Sequence, residues 1–597
     1  MAAAYIVWTV VFFILALVAS IGAYRYYTKE SIKYIPILCA IWHVIAIYMC
    51  ALPFPLLVLD VDASLSAQTN SSVQQGWMRY IWIIIFAATY FCAWVSLPVC
   101  QMYTEVGEFS VKARILHSIK LNLILYAIII VVVVAALVYF VVITNSYHSM
   151  ANVLKVVISL ANAWGLLILT LFMPAGLVGV PRMLYRYADA KRLLRSRLYE
   201  AIDIQEDLDL AAMDLAAIKS ELISIDPQVS DENRPHLASM LELISKADSE
   251  VPMYHLAAQR VKTLPSSDRN DVSLEHLVGL NTRLKKAIKV VYRTNYRWKS
   301  TVHKCDSLDQ IVRGVKSTSN RLKKMWFPIR AHVYYTACAL CSVLTLFILW
   351  SELTMPLRDW VGRPLGVIEL IMKSPVHLPG SIIFLFYMAY CAYWAAFQFK
   401  VFDVYVIYPS IADNASLCFN ETFLVRLLMP LCYNFLLISG LSSTANKTPV
   451  DVMYGHVYRS NMDIGLLFGS YVNKLLPLMI PFIAAIVFFR LTQQVLALVG
   501  VEIHDPNNTE SPAVRQRIVD GRKLVEAELG YQLSSPFLPG DAGEQMESAS
   551  VPASTTRHRD DAASEPESKR GQRYREYMKR REGELAAHSE GGERSAP

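Results

Sequence analysis

The chain has 597 residues, of which 54% are hydrophobic and only 18% are charged, with a net charge of +7 and a mean hydropathy of +0.34. A soluble domain carries roughly 25% charged residues, so this composition excludes a secreted, fibrous or disulfide-stapled protein and argues against a soluble enzyme. Because the apolar residues occur in runs of about twenty, the sequence predicts an all-α, polytopic membrane protein.

Nine segments are apolar over the length that a helix needs to cross a bilayer. Their approximate bounds are residues 5–24, 35–58, 80–103, 121–144, 156–180, 333–353, 382–402, 423–441 and 475–499. The first segment lacks a basic region before it, and Arg25 and Tyr26 follow it where a cleavage site would require small residues. We therefore interpret it as the first transmembrane helix and expect about nine in total.

The basic residues of the short loops alternate from one side of the membrane to the other. The first and third loops hold Arg25, Lys29, Lys33, Lys112, Arg114 and Lys120. Residues 60–78 and 145–152, in the second and fourth loops, hold no Lys or Arg, and Arg79 lies at the edge of the second loop. Basic loops face the cytosol, so the N-terminus is predicted outside or in a lumen and the C-terminus in the cytosol. The loop at 351–381 departs from this pattern, since it carries three basic residues on the predicted outer side.

Glycosylation sequons give a test of this orientation. Only Asn70 and Asn446 fall on the predicted outer side and are candidates for glycosylation, whereas Asn414, Asn420 and Asn507 are not. The sequence leaves the plasma membrane and an endolysosomal membrane open as locations.

The spans divide the chain into five regions. Residues 1–180 hold transmembrane helices one to five, and residues 331–503 hold helices six to nine. A cytosolic helical insert lies between them at residues 181–330, and a short cytosolic helix is predicted within residues 504–533. Residues 534–597 are expected to be disordered, because they contain too little apolar surface to offset the entropy of ordering.

The insert has the periodicity of two long helices. Apolar residues recur with alternating spacings of three and four, the a/d pattern of a coiled coil. The first series is Ala201, Ile204, Leu208, Ala211, Leu215, Ile218, Leu222 and Ile225, and the second is Leu277, Leu280, Leu284, Ala287, Val291, Thr294 and Trp298. Turn-like residues at 231–235 and 265–268 separate them. We predict a coiled-coil-like antiparallel hairpin whose arms continue transmembrane helices into the cytosol.

The second arm of this hairpin is basic. The insert contains 26 basic and 19 acidic residues, an excess of +7. The candidate basic face consists of Arg283, Lys286, Lys289, Arg293 and Arg297. It is typical of a contact with anionic lipid headgroups or an acidic partner, and also of a solvated helix face on the cytosolic side.

The sequence contains no motif for catalysis or for binding a metal or nucleotide. It has no H-E-x-x-H, G-x-S-x-G, P-loop or G-x-G-x-x-G, and its 13 histidines include no pair at metal-ligand spacing. We therefore expect a non-enzymatic protein with no cofactor, no metal and no nucleic-acid partner.

Polar and kink-forming residues within the spans are the remaining candidates for a site, because charge inside a bilayer is costly. We find no Asp or Glu in the middle of a predicted span. The candidates are Asn162, Arg426, Pro430, Asn434 and Arg490. The site we favour pairs Pro430, which frees a backbone carbonyl, with Asn434, and a kink needed only for packing is the alternative. We interpret His43 as a packed or interfacial residue and not as a ligand.

Short motifs in the spans resemble a known family. They are Gly176-Leu177-Val178, Pro181-Arg182, Trp350-Ser351-Glu352, Val401-Phe402, Tyr405, Ser416-Leu417, Arg426-Leu427, Pro430-Leu431-Cys432, Asn434-Phe435-Leu436, Leu498-Val499-Gly500 and Gly521-Arg522-Lys523-Leu524. With five spans, a helical insert and four more spans, the chain resembles the LMBR-type (limb region) membrane proteins over about residues 1–530. Its nearest branch is that of the LMBR domain-containing proteins numbered two. Met429 departs from the family, which usually has a second proline there.

The resemblance implies a non-enzymatic role, since relatives are described as lipocalin receptors, components of lysosomal cobalamin export and, in the nearest branch, modulators of G-protein-coupled receptor signalling. Two functions remain open. The first is a receptor-associated scaffold that binds a membrane receptor or a signalling or trafficking protein through the insert. The second is a carrier of a bulky amphipathic ligand, such as a cobalamin-like or lipid-like molecule. The oligomeric state, including a homo-oligomer, is also left open.

Overall fold

The computed structural model describes residues 2–67, 76–144, 150–250, 273–313, 321–357, 361–398, 405–441, 452–455, 472–491 and 512–533. The described residues belong to one compact unit, Met1–Ser535, and their regular structure is helical throughout. The helices of the apolar part are α1 (Ala2–Thr28), α2 (Ile37–Ala51), α3 (Pro53–Ala67), α4 (Gly76–Phe91), α5 (Leu97–Glu105), α6 (Val111–Thr144), α7 (Met150–Ala188), α11 (Arg321–Thr354), α12 (Val367–Met372), α13 (His377–Gln398), α14 (Asn414–Ile438) and α15 (Val472–Phe488). The helices of the polar part are α8 (Ala190–Ile225), α9 (Arg234–Glu250), α10 (Leu274–Arg313) and α16 (Pro512–Leu529).

Eight candidate spans among the described residues are long and apolar enough to cross a membrane, and they coincide with the first eight predicted spans. The protein is therefore a polytopic, all-α membrane protein. The apolar part of α15, Leu476–Phe488, is shorter than a span. Because residues 492–499 lie outside the described residues, the ninth crossing stays a prediction.

Two spans are composite, and a proline accounts for each interruption. The second span consists of α2 and α3, which meet at Leu52 and Pro53. The third consists of α4, a π-helical turn at Cys92–Ser96 and α5, in which Pro98 occupies the first turn. Proline has no N–H and its ring clashes with the carbonyl four residues earlier, so it disturbs the turn that precedes it.

The helical periodicity of the insert is confirmed. Helices α8 and α10 pack against each other. All residues of the second apolar series are buried, and so are those of the first series apart from the half-buried Ile225. Since these residues share one face of each helix, the spacings of three and four place them at the common seam.

Two features of the insert differ from the prediction. The first arm does not continue α7 without interruption, because Asp189 adopts an extended conformation and its side chain caps α8 by accepting a hydrogen bond from the Arg192 N–H. A third helix, α9, lies between the two arms in sequence and packs on both. Its buried residues are Leu237, Met240, Ile244 and Ala247.

The predicted tail helix is confirmed as α16, and it packs on the insert. Gly521 lies so close to the Leu198 carbonyl oxygen of α8 that a Cβ atom would overlap it. Arg517 forms an ion pair with Asp203, and the Tyr531 hydroxyl donates a hydrogen bond to Asp306 at 2.7 Å. The insert and the tail helix therefore form one four-helix assembly.

The insert is fastened to the loops at one end of the membrane bundle, which we call the insert side. The Asn281 amide donates to the Gly107 carbonyl at 2.5 Å, and the Lys285 ammonium donates to the Val106 carbonyl at 3.1 Å. Desolvation there lowers the pKa of Lys285 to about 8. Tyr292 of α10 also stacks on Tyr34, which precedes α2. These contacts fix the orientation of the assembly relative to the bundle.

Several predictions from sequence concern residues outside the described part of the chain. They are the glycosylation candidates Asn70 and Asn446, the sequon at Asn507, the turn at 265–268 and the tail at 534–597.

Candidate functional site

Helix α14 lies at the centre of the membrane bundle. Twenty-one of its 25 residues are buried, and it packs against α2, α5, α7 and α13. A helix that is buried on every face has to satisfy its polar side chains within the protein. Its polar residues therefore define the candidate site.

Helix α14 begins earlier than the predicted residue 423. Asp413 caps it, accepting hydrogen bonds from the Ser416 N–H at 3.3 Å and the Ser416 hydroxyl at 2.6 Å. The predicted span is bounded by its apolar residues, which leaves Glu421 outside it and Arg426 near its start. The structure corrects both positions, since Glu421 is the eighth residue of the helix and Arg426 is the thirteenth.

A buried hydrogen-bond network joins the start of α14 to α2 and α5. His43 Nδ1 lies 2.7 Å from Glu421 Oε2, and His43 Nε2 lies 2.9 Å from Asn414 Oδ1. The Asn414 amide nitrogen in turn donates to the Cys100 carbonyl at 2.8 Å and to the Thr104 hydroxyl at 3.0 Å. His43 is fully buried, so it is a packed residue as predicted, and it is also the centre of a polar network that sequence analysis did not identify.

A second buried pair lies near the other end of α14. The Asn434 amide donates a hydrogen bond to Glu352 of α11, and both side chains are completely buried. The predicted site residue Asn434 is thus brought to a carboxyl group, which sequence analysis had placed at the end of span six. Two oxygens of the pair, Glu352 Oε2 and Asn434 Oδ1, have no hydrogen-bond partner among the described residues.

A third buried carboxylate, Asp60 of α3, holds a separate set of donors. It accepts hydrogen bonds from the Trp82 indole at 3.0 Å and from the backbone N–H groups of Met453 and Tyr454 at 3.2 and 2.8 Å. Together with Glu352 and Glu421, Asp60 shows that carboxylates lie buried within span helices. The search of the sequence for carboxylates in the middle of a predicted span did not single them out, because all three stand near the ends of their apolar runs.

Arg426 has a different environment from these pairs. Its guanidinium lies 4.7 Å from the ring centroid of Trp94 and donates to the Ala93 carbonyl at 3.4 Å. Its Nε atom is buried and has no acceptor among the described residues. The Trp94 carbonyl also accepts a hydrogen bond from Tyr126 of α6. Arg426 thus faces aromatic rings and a carbonyl.

Pro430 makes a close helix contact beside Arg426. A Cβ atom on Gly165 of α7 would lie 3.0 Å from both the Arg426 carbonyl oxygen and the Pro430 ring. Because proline lacks an N–H, the Arg426 carbonyl receives no hydrogen bond from Pro430. Pro430 and Asn434 lie one turn apart and both face α7, Pro430 at Gly165 and Asn434 at the Met173 sulfur, while Asn434 also bonds to Glu352 of α11.

The other two candidates lie away from this cluster. Arg490 is exposed beyond the end of α15, at a point where Arg182 of α7 donates to the carbonyls of Val487 and Phe488. Asn162 belongs to α7, but its side chain is outside the described part of the structure.

The predicted basic face of α10 is largely engaged within the chain. Arg283 pairs with Glu221 at 3.1 Å, Arg297 with Asp207 at 3.0 Å and Lys289 with Asp413 at 3.9 Å. These exposed or half-exposed pairs contribute little each, but they join α10 to α8 and to the cap of α14. Lys286 and Arg293 complete the predicted set.

The hydrogen bonds of this site hold α14 in position against the neighbouring spans. Among the described residues, no group of three His, Cys, Asp or Glu side chains could hold a metal ion. The polar pairs at the two ends of α14 fix it to α2 and α11, and Arg426 lies between them. The sequence does carry a signal for the polar face at the start of α14, since Asn414, Cys418 and Glu421 stand at successive spacings of four and three, but it does not identify their partners.

Comparison with known proteins supports this description. A family model described as LMBR1-like membrane protein matches residues 4–492. A Caenorhabditis briggsae protein named G-protein coupled receptor-associated protein LMBRD2 is 21% identical over 475 residues, covering 75% of this chain and 72% of the relative. A Gallus gallus protein of the same name is 21% identical over 553 residues, covering 81% and 78%. A Drosophila melanogaster LMBR1 domain-containing protein 2 homolog is 22% identical over 478 residues, covering 75% and 68%.

No solved structure matches the chain. The family match extends from the first span into α15 and includes both the insert and all the α14 contacts described above. The chain therefore belongs to the LMBR1-like family of membrane proteins.

Proposed function

We propose that this protein is a non-enzymatic, receptor-associated scaffold whose insert binds a G-protein-coupled receptor or a signalling or trafficking protein that acts with it. The observation that supports this function most directly is that the insert and the tail helix α16 form a packed four-helix assembly fastened to the membrane bundle. The printed names of the relatives from Caenorhabditis briggsae and Gallus gallus, which call them G-protein coupled receptor-associated, support the same class of partner.

The fastening involves three different loops, which favours a scaffold. Tyr34 lies before α2, Gly107 lies between α5 and α6, and Asp413 lies before α14, and each contacts α10. Phe109 adds a stacking contact with His236 of α9, with ring centroids 4.3 Å apart. An assembly held at several points is preorganised, so a partner that binds it loses less entropy than it would by ordering a loose hairpin.

The packing of the bundle also favours a scaffold over a carrier. The core around α14 consists mainly of Leu, Val, Met, Cys and Phe side chains, and Glu421 and Asn434 each bond to one side chain of a neighbouring helix, His43 and Glu352. A carrier needs a polar-lined cavity that a bulky ligand can enter.

We further propose that the insert side faces the cytosol of a plasma or endolysosomal membrane. The first loop lies on the insert side, since the Glu30 N–H donates to the Ser410 carbonyl just before α14, and its basic residues follow the cytosolic bias. We expect Asn70→Gln to remove a glycan, seen as a faster-migrating band that endoglycosidase no longer shifts. Asn507→Gln is the control and should leave the shift unchanged, and a glycan at Asn507 would mean that the orientation is inverted.

Proximity labelling tests the scaffold directly. A labelling enzyme is inserted at Asp231, an exposed turn residue between the first arm and α9. Receptors and G proteins should be enriched over a membrane-tethered enzyme alone. Leu284→Glu places a carboxylate in the buried seam of α10 and should abolish the enrichment, because a charge there cannot be accommodated without opening the insert.

His276→Glu is the matched control, since it introduces the same side chain at an exposed position of the same helix. It should label as the unmodified chain does, at equal amounts of protein in the membrane. Enrichment that survives Leu284→Glu, or that never exceeds the tethered enzyme, would contradict the scaffold function.

A further inference from the structure

A crevice opens between α4, α7 and α14 beside Arg426. Its water-accessible volume is about 20 Å³, enough for one water molecule or one oxygen atom of a ligand. Its lining includes Tyr90, Trp94, Gly165, Met429 and Pro430. Tyr90, Trp94 and Arg426 are half-buried, so part of each side chain is accessible from outside the bundle.

Arg426 is placed deep within its span. It is the thirteenth of 25 residues of α14, which puts it about 18 Å along the helix axis from Asn414 at 1.5 Å per residue. Half of a hydrocarbon core is about 15 Å thick. Arg426 thus lies at the middle of a candidate span, where a charge is expensive to place in a bilayer and usually has a partner.

The carboxylates of the bundle are not that partner. Glu421 is bonded to His43, Glu352 to Asn434, and Asp60 to Trp82 and two backbone N–H groups. Among the described residues, the contacts of the Arg426 side chain are the Ala93 carbonyl and the Trp94 ring. Arginine remains protonated in proteins, and among the described residues no carboxylate forms an ion pair with this cation.

The donors of Arg426 are only partly used. Guanidinium presents five N–H groups in a fixed fork that matches a carboxylate or a phosphate. One of its nitrogens donates to the Ala93 carbonyl at the long distance of 3.4 Å, and the buried Nε has no acceptor among the residues that the structure describes. A buried donor without an acceptor is costly, which an anionic oxygen at this position would relieve.

The surroundings suit the apolar part of the same ligand. Val425, Met429 and Pro430 supply apolar surface next to the guanidinium. Large apolar side chains of α4 and the adjoining π-helical turn, Phe91 and Val95, are exposed on the outside of the bundle. The cation thus lies beside apolar surface that continues toward the lipid, which is the combination that recognises an amphiphile.

We propose that this crevice binds the anionic head of an amphiphile, a carboxylate or phosphate group, through Arg426, with the apolar chain lying along α14 and α4. Arg426 supplies the charge and Trp94 holds the guanidinium plane by stacking. Gly165 and Pro430 provide the space, because a larger residue at 165 would press on the Arg426 carbonyl. This site is independent of the scaffold surface on the insert, and its test uses the purified chain without a receptor.

The test measures quenching of tryptophan emission in the full-length protein, purified in a neutral detergent. The probes are a brominated fatty acid, a brominated phosphatidic acid and a brominated phosphatidylcholine, whose head is zwitterionic. We expect saturable quenching by at least one anionic probe, and at least tenfold weaker binding by phosphatidylcholine. The tighter of the two anionic probes identifies the head as a carboxylate or a phosphate. Trp94→Phe should lose part of the quenching.

Arg426→Gln is expected to weaken binding of the anionic probe at least tenfold. Arg25→Gln, at an exposed basic residue of α1, is the control and should bind as the unmodified protein does. Ala93→Leu fills the crevice without altering its charge and should weaken binding to a similar extent. This variant decides the result if Arg426→Gln does not fold. Unchanged affinity in the folded variants, or equal affinity for phosphatidylcholine, would overturn the proposal.

Discussion

Replacing Glu421 with leucine is expected to destabilise the protein by about 3 to 5 kcal/mol, the usual cost of removing one partner from a buried ion pair or its neutral hydrogen-bonded equivalent. His43 would keep its hydrogen bond to Asn414, but its Nδ1 atom would face apolar surface without a partner. The measurement is thermal or denaturant unfolding in detergent, and its readout is the loss of the monodisperse protein.

Two further variants separate the polar contact from the change in shape. Glu421→Gln keeps an amide that can bond to the imidazole, so it should retain most of the stability. The double variant His43→Leu and Glu421→Leu removes both partners and should recover part of the loss, because neither is left buried alone. The hydrogen bond would contribute nothing if Glu421→Leu unfolded at the same temperature as the unmodified protein.

The second large effect is expected at Gly176, where α7 approaches α13. A Cβ atom at this position would overlap the carbonyl group of Cys391, which is backbone and cannot rotate away. Small residues permit this kind of close approach between helices in membranes. Gly176→Ala should therefore cost about 1 to 3 kcal/mol or more, as overpacking does, and reduce the monodisperse fraction after detergent extraction.

Gly22→Ala provides the matched comparison, since the same methyl group at Gly22 in α1 would meet no atom within 4 Å. It should be neutral or slightly stabilising, because alanine is the better helix former. Equal stability of the two variants would show that α7 and α13 can separate freely and that the close contact has no energetic consequence.

The elements of the fold were predictable because each depends on local composition. Eight spans, the two seams of the insert and the tail helix α16 are confirmed, since apolar length and helical spacing are properties of a short window. Helix α9 was missed although Leu237, Met240, Ile244 and Ala247 carry the same spacing. Pro235 was interpreted as part of a turn, whereas proline is also favoured in the first turn of a helix.

The site was predictable only in part, because its partners are distant in sequence. Arg426, Pro430 and Asn434 were singled out from their residue types, and all three contact other spans. Asn434 lies 82 residues from its partner Glu352, and Arg426 lies 333 residues from its partner Ala93. No local pattern encodes such a pairing. The same reason explains why the basic face of α10 was interpreted as free surface, when Arg297 pairs with Asp207.

The burial of α14 has a consequence for how the protein is made. Its polar residues Glu421, Arg426 and Asn434 make it a poor candidate for entering a membrane alone, since each such group resists transfer into lipid. Their partners, however, all precede α14 in the chain and have been synthesised when it leaves the ribosome. The earlier spans therefore provide the acceptors and aromatic faces against which α14 integrates, so its insertion depends on the sequence of translation as well as on its own hydropathy.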